Sequence, residues 1–434
     1  MKRLELAKVE VKALQSKAIS PVPVGNGPWP WIPGAFENAI FTIYDMRNTL
    51  YDMPAMPNLY CDYNSTTPLA SEVYVAMEPY LNEQFGNPSS THCMGRDAQR
   101  AVRKARRQVA AFVGAADENE IIFTSGGTES NNTAIRSALE LAGGRKKIIT
   151  STVEHSSVKS LCDQLEREGY EVFRIPVDRS GHLDLTEFDK VLDEQTGLVT
   201  LMMANNETGI LLPVEDLAPK VKSSGVHFHV DAVQALGKLP LDLKTKRIHS
   251  ASFSAHKCYG PKGVGALYLS KDVPFHPYLF GGSQERGRRA GTENVAGIVG
   301  FGEACEFILK DFQSQTGRVQ VLRRNFEERI CVQIPKAMIH GRDSERLPNT
   351  SLVTFPGLDG EALMYALDQK GICVSMGSAC MSGSGEPSYV LKAMGYSTDD
   401  AKSSLRVSFG RYTTETEIAA LIQALVECVK QVKK

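Results

Sequence analysis

The sequence has no apolar run of about eighteen residues, so it predicts no membrane-spanning helix. It has no Cys-x-x-Cys pair, which excludes a zinc ribbon and a dithiol redox motif. Its nine cysteines (Cys61, Cys93, Cys162, Cys258, Cys305, Cys331, Cys373, Cys380 and Cys428) are odd in number and irregularly spaced. A chain of this size needs no disulfide framework, and a reducing compartment is the expected setting. There is no excess of charge of either sign, the net being -1, so nothing global draws the chain to nucleic acid or an anionic membrane. An apolar core long enough for a signal peptide is absent from the N-terminal stretch, and no internal repeat is found.

What is present is an ordinary globular composition, 42% hydrophobic and 23% charged over 434 residues. That length exceeds one hydrophobic core and predicts two or three structural units. Residues 1–56 differ from the rest. Met1 to Ser20 mixes charged and apolar residues, and Pro21 to Gly34 holds five prolines, three glycines and both tryptophans. Proline at that density excludes regular helix or sheet. We read this stretch as an atypical N-terminal extension, accessory or non-native. A transit peptide is the other reading, which the early Glu5 and Glu10 oppose.

From Leu59 onward short apolar runs alternate with helical patterns. Strands are expected at 120–124, 147–150, 172–176, 198–203, 226–230, 250–254 and 264–270, with helical spacing between them, as in Ser156 to Glu168. This alternation predicts an α/β fold with a mostly parallel sheet covered by helices on both faces. From about residue 311 the pattern changes to long amphipathic helices with strands at 351–355 and 405–408. The expected organisation is a large domain at 69–310 and a smaller α+β domain built from 57–68 and 311–434.

In open α/β sheets, ligands bind outside the carboxyl ends of the strands, and the polar motifs here fall at those ends. Ser125-Gly126-Gly127-Thr128 precedes an apparent helix start, which suits an anion. An ordinary glycine turn is the bland alternative. Glu154-His155 follows the second strand, Asn205-Asn206 the fourth, and Asp231 with Gln234 the fifth. Each alone favours the bland reading of a cap, a packed residue or a turn. Ser254-Ala255-His256-Lys257 is less ordinary, because lysines usually lie on solvated faces. A lysine at a sheet's carboxyl edge could be desolvated, as a Schiff-base lysine must be. Jointly these residues meet the needs of pyridoxal phosphate (PLP): a lysine for its aldehyde, a carboxylate for its ring nitrogen and a cradle for its phosphate.

From Tyr60 to Val432 the chain resembles the NifS/IscS class of cysteine desulfurases, within the fold-type I, aminotransferase class V PLP enzymes. The motifs that carry the likeness are the stretch from Tyr60 to Pro68, Phe85 to Ser90, TSGGTESNN from Thr124, VEH ending at His155, ANNETG from Ala204, HVDAVQALGK from His229, SFSAHKCYGPKG from Ser252, RRAGTEN from Arg288, GSACMSGSGEPS from Gly377 and LRVSFGR from Leu405. The resemblance implies a seven-stranded large-domain sheet and a set of roles. Lys257 would hold the cofactor's aldehyde, and Asp231 would pair with its ring nitrogen. Gln234 and Asn206 would lie at the ring hydroxyl, and His155 would stack on the ring and relay protons. Gly127, Thr128, Ser254 and His256 would hold the phosphate. Thr292 would reach the phosphate of a neighbouring subunit, which implies a homodimer. Asn87 and Arg406 would bind the substrate carboxylate, for which a guanidinium fork is suited.

Cys380 lies in a run of small residues, Ser378 to Gly385, that reads as a loop tip. In related enzymes this is the position of the persulfide cysteine. The implied reaction converts L-cysteine to L-alanine, with the sulfur passing to Cys380 and then to an acceptor such as an iron–sulfur scaffold or a tRNA-thiolation enzyme. No metal site is expected, apart from transient ligation of an iron–sulfur cluster by Cys380. No direct contact with nucleic acid or membrane is expected. The expected location is cytoplasmic, or organellar if the extension is a transit peptide. Tyr63 and Ser65 stand where relatives often carry His or Asn and Ala, changes expected to touch packing. The sequence stops soon after its last helix, where IscS-type relatives carry a longer tail, and this leans towards the NifS-like branch. Rival readings are a selenocysteine lyase, an aminotransferase with no use for Cys380, and a non-catalytic protein that kept the fold.

Overall fold

Seven of the predicted strands pair into one sheet in this computed structural model, which describes residues 59–377 and 386–432. The N-terminal extension and Cys380 lie outside the described residues. In chain order the strands are β1 (Leu59–Tyr60), β2 (Ile121–Thr124), β3 (Lys147–Ser151), β4 (Glu171–Ile175), β5 (Thr196–Met202), β6 (His227–Asp231), β7 (Ser250–Ser254), β8 (Gly265–Leu269), β9 (Met338–Ile339), β10 (Thr350–Thr354), β11 (Ile372–Cys373) and β12 (Ser404–Ser408). The large sheet has the order β2-β8-β7-β6-β5-β3-β4. Only β8 runs against its neighbours.

The sheet is covered by helices on both faces and is largely apolar, with His227, His229, Ser250 and Ser252 of β6 and β7 bonded to one another on one face. Successive residues serve different cores, as the two-residue period of a strand requires. Ile149 and Val199 join the main core with Val109, Phe228 and Phe301. Their neighbours Ile148 and Leu198 join a second layer under the helices Gly127–Glu140 and Ser156–Arg167, with Ile135, Val158 and Leu165. On the main-core side the helix Cys93–Val113 starts at a His92 cap and stops at Gly114, whose φ of 67° is left-handed. It packs against the helix Val295–Leu309 so closely that a Cβ on Gly302 would lie 2.7 Å from the Cα of Ala105.

A separate core gathers Val319, Leu322, Phe326 and Ile330 of the helix Phe312–Gln333 with Val353, Val407, Ile418 and Leu425. Its antiparallel sheet has the order β12-β10-β9, and β1 pairs in parallel with β11 beside it. Cys61, just after β1, belongs to this second core, so the chain's early segment is tied to its late one. Long helices, expected in this region, are present as Phe312–Gln333 and Glu415–Val432. No helix among the described residues is long and apolar enough to cross a membrane.

Candidate active site

The turn after β2 calls for glycine twice, at Gly126 because its φ of 155° disfavours a side chain and at Gly127 because nothing larger fits. A Cβ on Gly127 would lie 2.7 Å from a methyl of Val233, and one on Gly265 of β8 would lie 2.6 Å from the Cα of Gly126. The turn opens the helix Gly127–Glu140, which has no side-chain cap on its N-terminal amides. Such a helix start offers free N–H donors to an anion. Buried Ser254 is adjacent, its Cβ 3.8 Å from the position of a Cβ on Gly127. Thr128 is exposed at the first turn of this helix.

His155 caps the next helix, accepting at Nδ1 from the amide of Ser157 at 3.2 Å and lying 2.9 Å from its Oγ. A nitrogen that accepts from an amide carries no proton, so the neutral ring holds its proton at Nε2. Ser157 Oγ in turn accepts from Asn131 Nδ2 at 2.9 Å, and the same amide donates to Asp231 Oδ2 at 2.7 Å. Asp231 ends β6 and is 5% exposed, and its second oxygen accepts from the amide of Val233. One hydrogen-bonded run therefore joins the ends of three strands, from His155 through Asn131 to Asp231.

Lys257 follows β7 and donates from Nζ to the carbonyls of Asn64 and Ser65 at 2.6 and 2.7 Å. Gln234 donates to the same Asn64 carbonyl at 3.0 Å and accepts from Lys238 at 2.7 Å. Arg406 of β12 is 2% exposed and reaches into the same segment. Its Nη2 bonds Asp62 Oδ1 at 2.7 Å and Ser65 Oγ at 2.6 Å, and its Nη1 bonds the carbonyl of Asn206 at 3.0 Å. Residues 62–66 are thus clasped between Lys257 and Arg406. Ser65, expected to bear on packing, bonds both. Tyr63 does pack, its ring 2.1 Å from where a Cβ on Gly410 would sit. His256 lies 3.1 Å from Thr66 Oγ1, and burial, with Lys257, Lys262 and Lys238 nearby, lowers its pKa to about 4.

Two carboxylates that sequence reasoning passed over complete the surroundings. Glu207 is fully buried and accepts from Ser388 Oγ at 2.5 Å, and burial raises its pKa to about 7. Glu154 is held by Ser151 Oγ and the amide of Met202, and burial raises its pKa to about 8. The available signal was their position beside His155 and Asn206 at strand ends. Gly377 and Ser388, on either side of the segment that contains Cys380, both lie against Glu207, and a Cβ on Gly377 would be 2.3 Å from its Oε2. Asn87 and Thr292 are exposed. Asn87 accepts from the amides of Ser89 and Ser90, and among the described residues no hydrogen bond joins Asn87 or Thr292 to the cluster.

A strand-end lysine, a buried aspartate, a histidine and an uncapped helix start converge on one edge of a mostly parallel sheet, the arrangement of an aminotransferase-like enzyme. The family model for "Aminotransferase class-V" matches residues 59–421. A cysteine desulfurase of Cereibacter sphaeroides is 50% identical over 379 residues, covering 87% of this chain and 97% of that protein. The cysteine desulfurase NifS of Azotobacter vinelandii is 47% identical over 378 residues, covering 87% and 94%. A solved NifS-like protein superposes with a TM-score of 0.81 at 38% identity, covering 86% of this chain and all of that one. The chain belongs to the aminotransferase class V family, and within it to the NifS-like cysteine desulfurases. Enzymes of this family depend on PLP.

Proposed function

We propose that this cysteine desulfurase converts L-cysteine to L-alanine with Lys257 as the cofactor-holding lysine and Cys380 as the sulfur acceptor. The observation that carries the reading is the convergence of Lys257, Asp231, His155 and Asn206 at the carboxyl ends of β7, β6, β3 and β5. The side chains present fit PLP. Asn206 Oδ1 is buried and receives no hydrogen bond from the described residues, so it leaves an acceptor suited to a ring hydroxyl. Asp231 is a buried carboxylate suited to the ring nitrogen, and the uncapped start of helix Gly127–Glu140, with Thr128, Ser254 and His256, suits the phosphate. Gln234 would lie at the ring hydroxyl beside Asn206. When bound, PLP supplies an electron sink for the carbanion at the substrate's α-carbon.

The chain's own groups do the rest. Asp231 is kept in place by Asn131. His155 presents the protonated Nε2, while Nδ1 is occupied by Ser157. Lys257 moves the α-proton, with His155 as relay. Arg406 keeps a buried Nε without a partner among the described residues, a donor suited to the substrate carboxylate, with Asn87 closing on the same group. Cys380 attacks the substrate sulfur as a thiolate. The S–S bond forms as the C–S bond breaks, the electron pair stays on carbon, and that carbon is protonated and leaves in L-alanine. The buried cysteines are poor rivals, because burial raises the thiols of Cys258 and Cys162 to about 12 and holds those of Cys61 and Cys305 well above the usual range too. In a homodimer, exposed Thr292 would face the site of a second copy. The persulfide would pass to an acceptor protein.

The test is cysteine turnover by wild type and Cys380→Ser, with alanine and sulfide measured in parallel under reductant. Equal yields from wild type, with loss of both in the variant while the yellow cofactor colour stays, support the reading. Full turnover in the variant overturns the role of Cys380.

A further inference from the structure

Arg323 is 6% exposed, and its guanidinium makes no hydrogen bond among the described residues. It lies on the helix Phe312–Gln333, with Nε and Nη1 both buried and both without an acceptor. Arg346 is its neighbour. Two nitrogens of Arg346 are spent on Glu327, at 2.9 and 3.1 Å, while its Nε is also buried without an acceptor. Both arginines line one groove of about 890 Å³, together with Thr316, Gln320 and Ser344. None of the residues assigned to the cofactor or the substrate lines it.

The charge count explains why this arrangement calls for an occupant. Two buried guanidinium groups, Arg323 and Arg346, face one buried carboxylate, Glu327, so one positive charge is left uncompensated. Exposed Arg324 adds to the positive side of the groove, and exposed Glu328, Asp343 and Glu345 stand at its rim. Burial and the neighbouring Arg346 lower the pKa of Arg323 only to about 10, so it remains charged at neutral pH. A charge taken from water without an acceptor is costly, and native structures satisfy nearly all such donors. The three open nitrogens, Arg323 Nε and Nη1 and Arg346 Nε, belong to two guanidinium groups, and a group with two or more acceptor oxygens is the kind of partner that suits them.

We propose that the Arg323–Arg346 pair is a binding site for a small oxyanion, a phosphate or a carboxylate, separate from the cofactor site. Its inner wall borders a small cavity lined by Lys257, since Lys238, Phe312, Thr316 and Pro348 line both this groove and that cavity. Lys238 is the link, because it also holds Gln234.

The test is calorimetric titration of the PLP-loaded full chain with inorganic phosphate, and separately with acetate, at ionic strength held constant with chloride. Loading with PLP keeps the probe out of the cofactor's own phosphate cradle. Thermal midpoints are followed in the same buffers. The wild type should bind one equivalent of at least one probe and gain thermal stability as that probe is raised. Arg323→Met should weaken that binding at least about tenfold, the loss of a charge-assisted contact, and should keep its cofactor colour and cysteine turnover. Its midpoint without anion should equal or exceed that of wild type, because the unpaired charge is gone. Arg323→Lys keeps the charge and should retain part of the affinity. Phosphate bound and acetate refused identifies a tetrahedral ligand, and the reverse a carboxylate. Saturable binding of neither probe by wild type, or equal binding by Arg323→Met, overturns the proposal.

Discussion

Asn131 holds Asp231, its side-chain amide donating to Oδ2 at 2.7 Å from within the helix Gly127–Glu140. The same amide reaches Ser157, which lies against His155, so two groups proposed to act on one cofactor, at its ring nitrogen and on its face, share a support. Asn131→Ala removes both bonds from a residue only 1% exposed. Cysteine turnover should fall about tenfold or more, and the absorbance of bound PLP should shift in position or pH response, since a charge-assisted bond to the carboxylate is worth about 1.5–3 kcal/mol. Absorbance spectra across pH, taken beside turnover, check this. An unchanged spectrum would show that Asp231 needs no such support.

Glu207 gives stability a pH slope whose sign can be worked out. Burial raises its pKa from 4.5 to about 7, so the folded state holds the proton more tightly than the unfolded state. Between those values folding takes up a proton, and this contribution to stability is lost as pH rises through the window. Glu207→Gln removes the contribution while keeping an oxygen for Ser388. Urea denaturation from pH 5 to 8 should show a flatter profile for the variant, with a gain over wild type near pH 8 of up to about 3 kcal/mol. Glu154, raised to about 8, gives the same slope over a slightly longer window, so Glu154→Gln should flatten what remains.

The strands were legible because buried parallel strands are apolar on both faces, and each ran into a turn of polar residues. Observed limits such as Thr196–Met202, against an expected 198–203, differ only at the ends, where side-chain patterns blur. The pair β1–β11 was not legible, because two-residue strands have no period to read. At the site, Lys257 stood out as a strand-end lysine, and Asp231 and His155 gained meaning only jointly with it. Asn131, Glu207 and the Ser65 contacts did not, because their meaning depends on partners far away in sequence, such as Ser388 and Arg406. The Asn64 and Ser65 carbonyls that receive Lys257 belong to the backbone, which every sequence has, so no residue type announces them.

Arg406 and Asp62 form a buried pair, their side chains 2% and 16% exposed. Breaking such a pair leaves a guanidinium without its counter-charge, at a cost of about 3–5 kcal/mol. Asp62→Asn should therefore lower the denaturation midpoint clearly. Ser65→Ala removes one bond to the same nitrogen and should leave the midpoint nearly unchanged while raising KM for cysteine, by about tenfold at most. Arg406→Lys loses the fork and should raise KM further. Steady-state kinetics beside urea titrations separate the stability effect from the substrate effect. A Ser65→Ala variant with wild-type KM would place the substrate carboxylate elsewhere.

Gly265 tests the phosphate cradle from the neighbouring strand. A Cβ there would sit 2.5 Å from the carbonyl oxygen of Phe253 and 2.6 Å from the Cα of Gly126. Both are backbone atoms and cannot swing aside, so Gly265→Ala must part β7 from β8 or push the Gly126 turn outward. Crowding of this kind costs about 1–3 kcal/mol. The moved turn carries the first amides of the helix Gly127–Glu140, so affinity for PLP should fall at least about tenfold in titrations of the apoenzyme followed by absorbance. Gly317→Ala is the control, because a Cβ there meets nothing within 4 Å and the residue is helical. It should gain up to about 1 kcal/mol from helix propensity and bind PLP as wild type does. Equal PLP affinity in the two variants, with Gly265→Ala destabilised, would mean that the turn tolerates displacement and that Ser254 and His256 carry the phosphate without it.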